Sequence, residues 1–203
     1  MSEVQISKNA IKRLGYVAGA PYIGSGAVEL TLKLINAYVE EVSRVATIMM
    51  EYLNTKTIKS SLLEEMVKSD NTVFLKHTGP MMLDTERMKA CTSIPVNYPA
   101  TKGSDARLKY LLKKIKKAQD AWGTCYVIPR QTIVKMLKEK MDGDYRISKD
   151  ALQNISAMIE TFTVETLQGG VLIAEHAQRL KMNEDDVVVS LMVKGFPIQQ
   201  FIK

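Results

Sequence analysis

From Val28 to Leu53 the apolar residues Leu32, Ile35, Val39, Val42, Ala46, Met49 and Leu53 recur at alternating steps of three and four, with no Pro or Gly between them. That period predicts one long amphipathic helix. A second series, Leu34, Tyr38, Val45, Ile48 and Tyr52, widens the apolar surface until burial on more than one side is required. Ahead of it, Ala10, Ile11, Leu14 and Val17 mark a short helix over Ile6–Ala18 that stops at Gly19 and runs into a loop holding Pro21, Gly24 and Gly26. Behind it, Asn54 to Ile58 break the pattern before Leu62, Leu63, Met66 and Val67 resume it. The unit is short helix, loop, long helix, loop, short helix.

The same order recurs downstream. Pro129 stands at a plausible first helical position, followed by Ile133, Val134, Met136 and Leu137, then a loop around Asp142, Gly143 and Asp144. A long helix is expected from Ser148 to about Gln178 through Leu152, Ile155, Ile159, Phe162, Gly169 and Ile173. After Arg179 to Asn183 a last helix carries Val187, Val188, Leu191 and Met192. Ile11 matches Ile133 at a separation of 122, while Tyr38 matches Phe162 and Tyr52 matches His176 at 124. A nearly constant offset over three helices indicates a duplicated fold. One such unit cannot cover both faces of its long helix with two short ones, so the copies are expected to bury their central helices against each other. Whether they pair within one chain or exchange between chains stays open at this level. The stretch 79–103, with Gly79, Pro80, Pro95, Pro99 and Gly103 and no clean period, reads as a tether between units 1–78 and 104–203.

Composition narrows the class. Apolar residues make up 46% of the 203 and aromatic ones only 6%, with 12 Met, which favours helices over sheets. Cys91 and Cys125 have no pairing or metal spacing, no apolar run is long enough to span a membrane, and the N-terminus lacks the order of a signal peptide. A soluble intracellular protein with no cofactor, no metal and no membrane partner is expected. The formal net charge is +6, and its distribution matters more than its total. Lys102, Arg107, Lys109, Lys113, Lys114, Lys116 and Lys117, opposed locally only by Asp105, carry nearly all of it. The first hundred residues are close to neutral, with 11 basic and 10 acidic side chains. A basic run of this kind is either a solvated helix face or a surface for nucleic acid or another acidic partner.

The specific residues resemble those of the core histones. Ile6-Ser-Lys-Asn-Ala-Ile-Lys-Arg-Leu14, Gly19, Tyr38 and Lys56-Thr57-Ile58 are similar to histone four, and Thr72-Val-Phe-Leu-Lys-His77 sits where that histone has a short C-terminal strand. Arg107 to Gln119 resembles the extra N-terminal helix of histone three. Ile128-Pro-Arg-Gln-Thr-Ile-Val134, Asp144-Tyr-Arg146, Ala174-Glu-His-Ala-Gln-Arg179 and Asp185-Asp-Val187 continue that likeness. The resemblance covers most of the chain apart from Gly79 to Gly103, and fused doublets in this order resemble those of certain large double-stranded DNA viruses.

The resemblance implies an all-α protein of two tandem histone folds paired head to tail, with an extra helix on the second copy. It implies a structural DNA-packaging role without sequence specificity, in a nucleosome-like particle. Double-stranded DNA would be one partner. Others would be a second copy of the chain, joined through the histone three-like half, and a doublet of the other two core histone types. The expected location is chromatin, or the host nucleus, viral factory and virion if the source is viral. DNA contacts are expected from Lys12, Arg13, Lys56, Thr57, Arg107, Lys109, Lys113, Lys114, Lys116, Lys117, Arg130, Lys135, Arg146 and Lys181. Arg179 and Asp186 resemble an ion pair within the fold, and His176 a packing or dimer-contact residue. Three departures stand out: Tyr22 replaces a groove-reaching arginine of the first loop, Thr55 and Leu62 replace an Arg and Asp pair, and long basic tails are missing. Weaker, less salt-dependent DNA binding than that of tailed histones is expected, with looser wrapping or a need for a partner doublet.

Little in the sequence supports catalysis. His77 and His176 are the only histidines, there is no glycine-rich phosphate loop, and the carboxylates are scattered along helices. The competing expectation is a histone-fold module of the kind found in transcription-factor complexes, binding other proteins; the near-neutral first half and Tyr22 favour it.

Overall fold

The computed structural model describes residues 6–69, 72–78, 105–122, 125–141 and 143–200. The expected tether 79–103 lies outside them. The elements in chain order are α1 (Lys8–Val17), β1 (Tyr22–Ile23), α2 (Ser25–Tyr52), β2 (Thr57–Ile58), α3 (Ser60–Val67), α4 (Phe74–Thr78), α5 (Asp105–Ala121), α6 (Arg130–Lys140), β3 (Arg146–Ile147), α7 (Lys149–His176), β4 (Lys181–Met182), α8 (Glu184–Val193) and a 3₁₀ turn at Ile198–Gln200. The expected helices are present with ends shifted by a few residues. Pro129 sits one place ahead of α6 as its cap.

The duplication extends to the backbone. The two central helices, α2 and α7, have 28 residues each and begin and end at the same offset of 124. Each is closed by a non-glycine residue in the left-handed region, Asn54 (φ 49°) and Gln178 (φ 57°), again 124 apart. Such residues are uncommon outside helix ends, where they turn the chain so that the last carbonyls find donors. Gly19 and Gly143, likewise 124 apart, turn the chain out of the first helix of each unit with φ of 94° and 116°.

The two units pair within the one chain. β1 runs parallel to β4 with Tyr22 opposite Lys181, and β2 runs parallel to β3 with Thr57 opposite Arg146. The first loop of each copy therefore lies beside the second loop of the other, as head-to-tail packing of the central helices requires. Backbone bonds close both ends: Gly24 N–H to Met182 O at 2.8 Å, Arg146 N–H to Lys56 O at 2.9 Å and Ser148 N–H to Ile58 O at 3.0 Å.

Where the central helices cross, Tyr38 and Phe162 meet with ring centroids 5.3 Å apart. Phe74 from α4 and Phe196 from beyond α8 fill the remaining sides, each 5.4 Å from the Phe162 ring, and Phe74 lies 5.4 Å from Tyr38. Tilted and edge-on pairs at these spacings add about 0.5–1.5 kcal/mol each beyond their buried area. Ile35, Val39, Val42, Ile155, Ile159 and Leu167 extend this core along both helices without exposure.

One expectation is corrected. Residues 72–77, expected as a strand from the resemblance, instead lead into helix α4. Buried Glu41 explains the change: its carboxylate accepts from the N–H of Val73 (2.7 Å), Phe74 (2.9 Å) and Leu75 (2.9 Å), the donors a helix start leaves unsatisfied. The same turn carries Phe74 into the aromatic cluster.

Two glycines in the last third of α7 explain how α8 packs on it. A Cβ on Gly169 would collide with Ser190 Oγ and lie 3.0 Å from Ser190 Cβ, and one on Gly170 would lie 2.7 Å from Met182 Sδ. Ser190 itself donates to Thr166 O at 2.9 Å, so it is held against the bare helix. Replacing Gly169 with Ala should therefore lower the melting temperature by the equivalent of about 1–3 kcal/mol of overpacking. That loss should win even though Ala favours a helix interior by about 1 kcal/mol. Thermal denaturation followed by circular dichroism reads the sign.

Candidate nucleic-acid interface

The basic residues singled out from the sequence sit on three surfaces. On α5, Arg107, Lys109, Lys113, Lys114, Lys116 and Lys117 are exposed while Leu111 and Ile115 are buried, so the helix presents one apolar edge inward and its cations outward. On the first helices, Lys12 and Arg13 of α1 and Lys135 of α6 are exposed, and Arg130 is half-buried with its guanidinium 4.7 Å from the centre of the Tyr126 ring. On the paired loops, exposed Lys56 and Arg146 with half-buried Thr57 form one end, and exposed Lys181 stands opposite Tyr22 at the other. Backbone pairing thus brings together Thr57 and Arg146, which are far apart in sequence.

Helix α5 belongs to the second unit in sequence but lies on α1 of the first. Gln119 Nε2 donates to Val17 O at 3.1 Å, and the Lys114 ammonium sits 5.7 Å from the Tyr16 ring centre and 4.9 Å from that of Tyr110. Its far end is anchored by buried Glu160. Trp122 Nε1 donates to Glu160 Oε2 at 2.9 Å, and Ile128 N–H donates to Glu160 Oε1 at 2.6 Å. The sequence reading missed Gln119, Trp122 and Glu160. The signals were present: the chain's single Trp, and a lone carboxylate in the apolar run from Ile155 to Phe162.

Among the described residues no group of His, Cys, Asp and Glu could hold a metal ion, and no helix is long and apolar enough to cross a membrane.

Residues 107–192 match the family model of the core histone domain, which spans all four core histone types. A curated relative, the histone doublet H4-H3 of Melbournevirus, is 22% identical over 162 residues, covering 70% of this chain and 72% of the relative. Among solved structures, the histone from Methanopyrus kandleri superposes with a TM-score of 0.58 over 95% of this chain and 97% of its own, at 17% identity, which speaks for the fold.

Residues 107–192 carry a core histone domain, and the chain as a whole resembles a fused histone doublet. With that comes a histone-type role in packaging DNA, structural in kind.

The two second loops of the doublet are braced differently. In the second half Arg179 clamps Asp186 with two bonds, Nη1 to Oδ2 at 2.8 Å and Nη2 to Oδ1 at 2.6 Å, and Nη1 also donates to Lys181 O at 3.2 Å. Burial opposes ionisation of Asp186, but hydrogen bonds from Arg179 and from Asn183 N–H, together with the guanidinium charge, outweigh it and hold its pKa below the usual value. In the first half the equivalent positions are Thr55 and Leu62. Leu62 is buried, and Thr55 Oγ1 accepts from Thr57 N–H at 3.4 Å, so packing and a local turn take the place of the ion pair. His176, expected as a packing or dimer-contact residue, ends α7 exposed, and no described residue of the doublet covers it. Exposed Leu172, Val189, Met192 and Val193 lie on the same two helices, α7 and α8.

Burial pushes the Glu160 carboxyl up to about 7, against the lowering effect of its hydrogen bonds from Ile128, Trp122 and Val127. A carboxyl whose folded pKa lies above its ordinary 4.5 stabilises the fold fully below that value, and the contribution is lost as pH rises through about 7. His77 works the other way: burial and the charges of Lys194 and Lys76 lower its pKa, so its neutral form favours the fold as pH rises. The comparison of wild type with Glu160→Gln isolates the carboxyl. The wild type should lose stability relative to Glu160→Gln between about pH 4.5 and 7, by on the order of 3 kcal/mol. Urea denaturation across that range, followed by Trp122 fluorescence, measures the difference.

Proposed function

We propose that the doublet wraps double-stranded DNA without reading its sequence, in a nucleosome-like particle built with a doublet of the other two core histone types. The observation that carries this reading is the exposed cationic face of α5 laid over α1 beside a paired-loop end. Lys and Arg side chains neutralise phosphates, and arginines enter the minor groove where it faces the protein. The contacting residues would be Lys12, Arg13, Lys56, Thr57, Arg107, Lys109, Lys113, Lys114, Lys116, Lys117, Arg130, Lys135, Arg146 and Lys181. The units would be bounded as 1–78 and 104–203, joined by 79–103.

Assembly would use the ends of the central helices. Both copies leave equivalent positions exposed there, Ile48 and Tyr52 on α2 and Leu172 and His176 on α7. The α7 and α8 face, with Met192 and Val193, would join a second copy of the chain. The α2 face, with Leu53, would take the partner doublet. The protein would then work where DNA is compacted, in chromatin or, if viral, in the factory and virion.

A second reading, a protein-interaction module, is favoured by the near-neutral first half and by Tyr22 in a loop position where the other copy has Arg146. The decisive experiment is nuclease protection of mixed-sequence DNA by the purified chain, alone and with a doublet of the other two types. A discrete protected length is expected, longer when the partner is present; no protection in either case would sink the wrapping reading.

Changing Lys113, Lys114, Lys116 and Lys117 together to Ala should weaken binding alike for all sequences and flatten the plot of log K against log salt by up to about four units, one per lost phosphate contact. An interaction module would instead keep its DNA behaviour and lose a protein partner. Titration by fluorescence anisotropy between about 50 and 200 mM salt, the range over which about six to ten phosphate contacts are clearly resolved, separates the two.

A further inference from the structure

The offset of 124 between the central helices allows the two paired-loop ends to be compared residue by residue. At one end β3 offers Arg146 opposite Thr57; at the other β1 offers Tyr22 opposite Lys181. Tyr22 and Arg146 occupy the same position in the two copies, so the first loop lacks an arginine of its own. An arginine is nevertheless there. The guanidinium of Arg107, from the start of α5, lies 5.4 Å from the centre of the Tyr22 ring.

The geometry suits a delivered cation. An arginine over an aromatic face is held by the ring's negative centre, while its N–H edge stays free for a phosphate or a base edge. Tyr22 is half-buried and fixed in a strand, which gives the ring a set orientation. Arg107 is exposed, and α5 beneath it is held to the first unit by Gln119 on Val17 O, by Lys114 over Tyr16 and by buried Leu111 and Ile115.

Resting on the DNA-packaging reading, we propose that Arg107 is the DNA-contacting arginine of the β1–β4 end, supplied by α5 and positioned by Tyr22. With Lys181 it makes this end the counterpart of the β2–β3 end, where Arg146 and Lys56 serve. Tyr22 is then a positioning residue, and its presence in the loop does not mean a lost contact.

The test is the affinity of the full chain for mixed-sequence duplex DNA as a function of salt. The variants are Arg107→Ala, Tyr22→Leu, Tyr22→Phe, Arg146→Ala and the doubles Arg107→Ala/Tyr22→Leu and Arg107→Ala/Tyr22→Arg, with melting temperatures taken in parallel. Arg107→Ala should lower the salt slope by about one unit, as Arg146→Ala does at the other end. Tyr22→Leu should weaken binding about threefold, the size of an exposed cation–π contact, and Tyr22→Phe should leave it unchanged. The first double should be no worse than Arg107→Ala alone, and restoring an arginine to the loop in the second should recover the lost slope. Arg107→Ala and the double Arg107→Ala/Tyr22→Arg carry the test even if Tyr22→Leu destabilises the fold.

Additive losses in the first double, or no recovery in the second, would overturn the proposal while Arg146→Ala still reports DNA binding. A wild-type chain that binds no DNA would instead overturn the packaging reading on which it rests.

Discussion

The crossing of α2 and α7 at Tyr38 and Phe162 is the contact on which everything else is arranged. Each central helix is apolar over too wide an arc for its own two short helices to cover, so neither unit has a finished core by itself. The four rings that meet at the crossing come from four segments: Tyr38 and Phe74 from the first unit, Phe162 and Phe196 from the second. In a chain with few aromatic residues this concentration at one point is what locks the angle between the helices, because tilted ring pairs have preferred geometries that aliphatic packing lacks. Joining both units in one polypeptide makes their meeting an intramolecular step, so the core does not depend on protein concentration. Once the helices cross there, the loop ends have nowhere to go but beside each other, and the two short parallel pairings follow.

Two buried carboxylates extend control from this crossing to the periphery. Glu41 on α2 gathers the first amides of α4, and Glu160 on α7 gathers the Ile128 amide and the Trp122 indole. Burying an acid is costly unless donors surround it, and in both cases the donors belong to a segment outside the central helices. The acids therefore act as fasteners. Glu41 turns a piece of chain with extended character into a helix that carries Phe74 inward. Glu160 fixes the joint between α5 and α6, and so the place where the most basic helix emerges.

Much of the fold was legible because helical period and duplication are properties of local order. Steps of three and four from Leu32 to Leu53, and the matching positions Tyr38 and Phe162, reveal the helices and the repeat without any knowledge of contacts. The pairing of units within the chain was not legible, since an exchanged pairing has the same apolar pattern; in the structure Tyr22 meets Lys181 and Thr57 meets Arg146 of the same chain. The strand expected at residues 72–77 failed for a related reason. Val73, Phe74 and Leu75 fit a strand locally, and the side chain that makes them helical lies far back in the sequence at Glu41. Of the basic residues, exposure could be anticipated from their spacing on α5, whereas the partners of that helix could not.

Those partners change how the charge should be read. Summed by sequence, the first unit is nearly neutral and the second carries the excess, which is the feature that spoke for a protein-binding module. In three dimensions the excess does not stay with the second unit. Gln119, Lys114 and Arg107 of α5 meet Val17, Tyr16 and Tyr22, all of the first unit, so the cationic helix lies over the unit whose own charges nearly cancel. Field at a surface depends on where charges sit and not on which segment encodes them. The neutrality of residues 1–78 is therefore no measure of the potential a DNA backbone would meet there, and the argument from charge for a module that binds only proteins loses its basis.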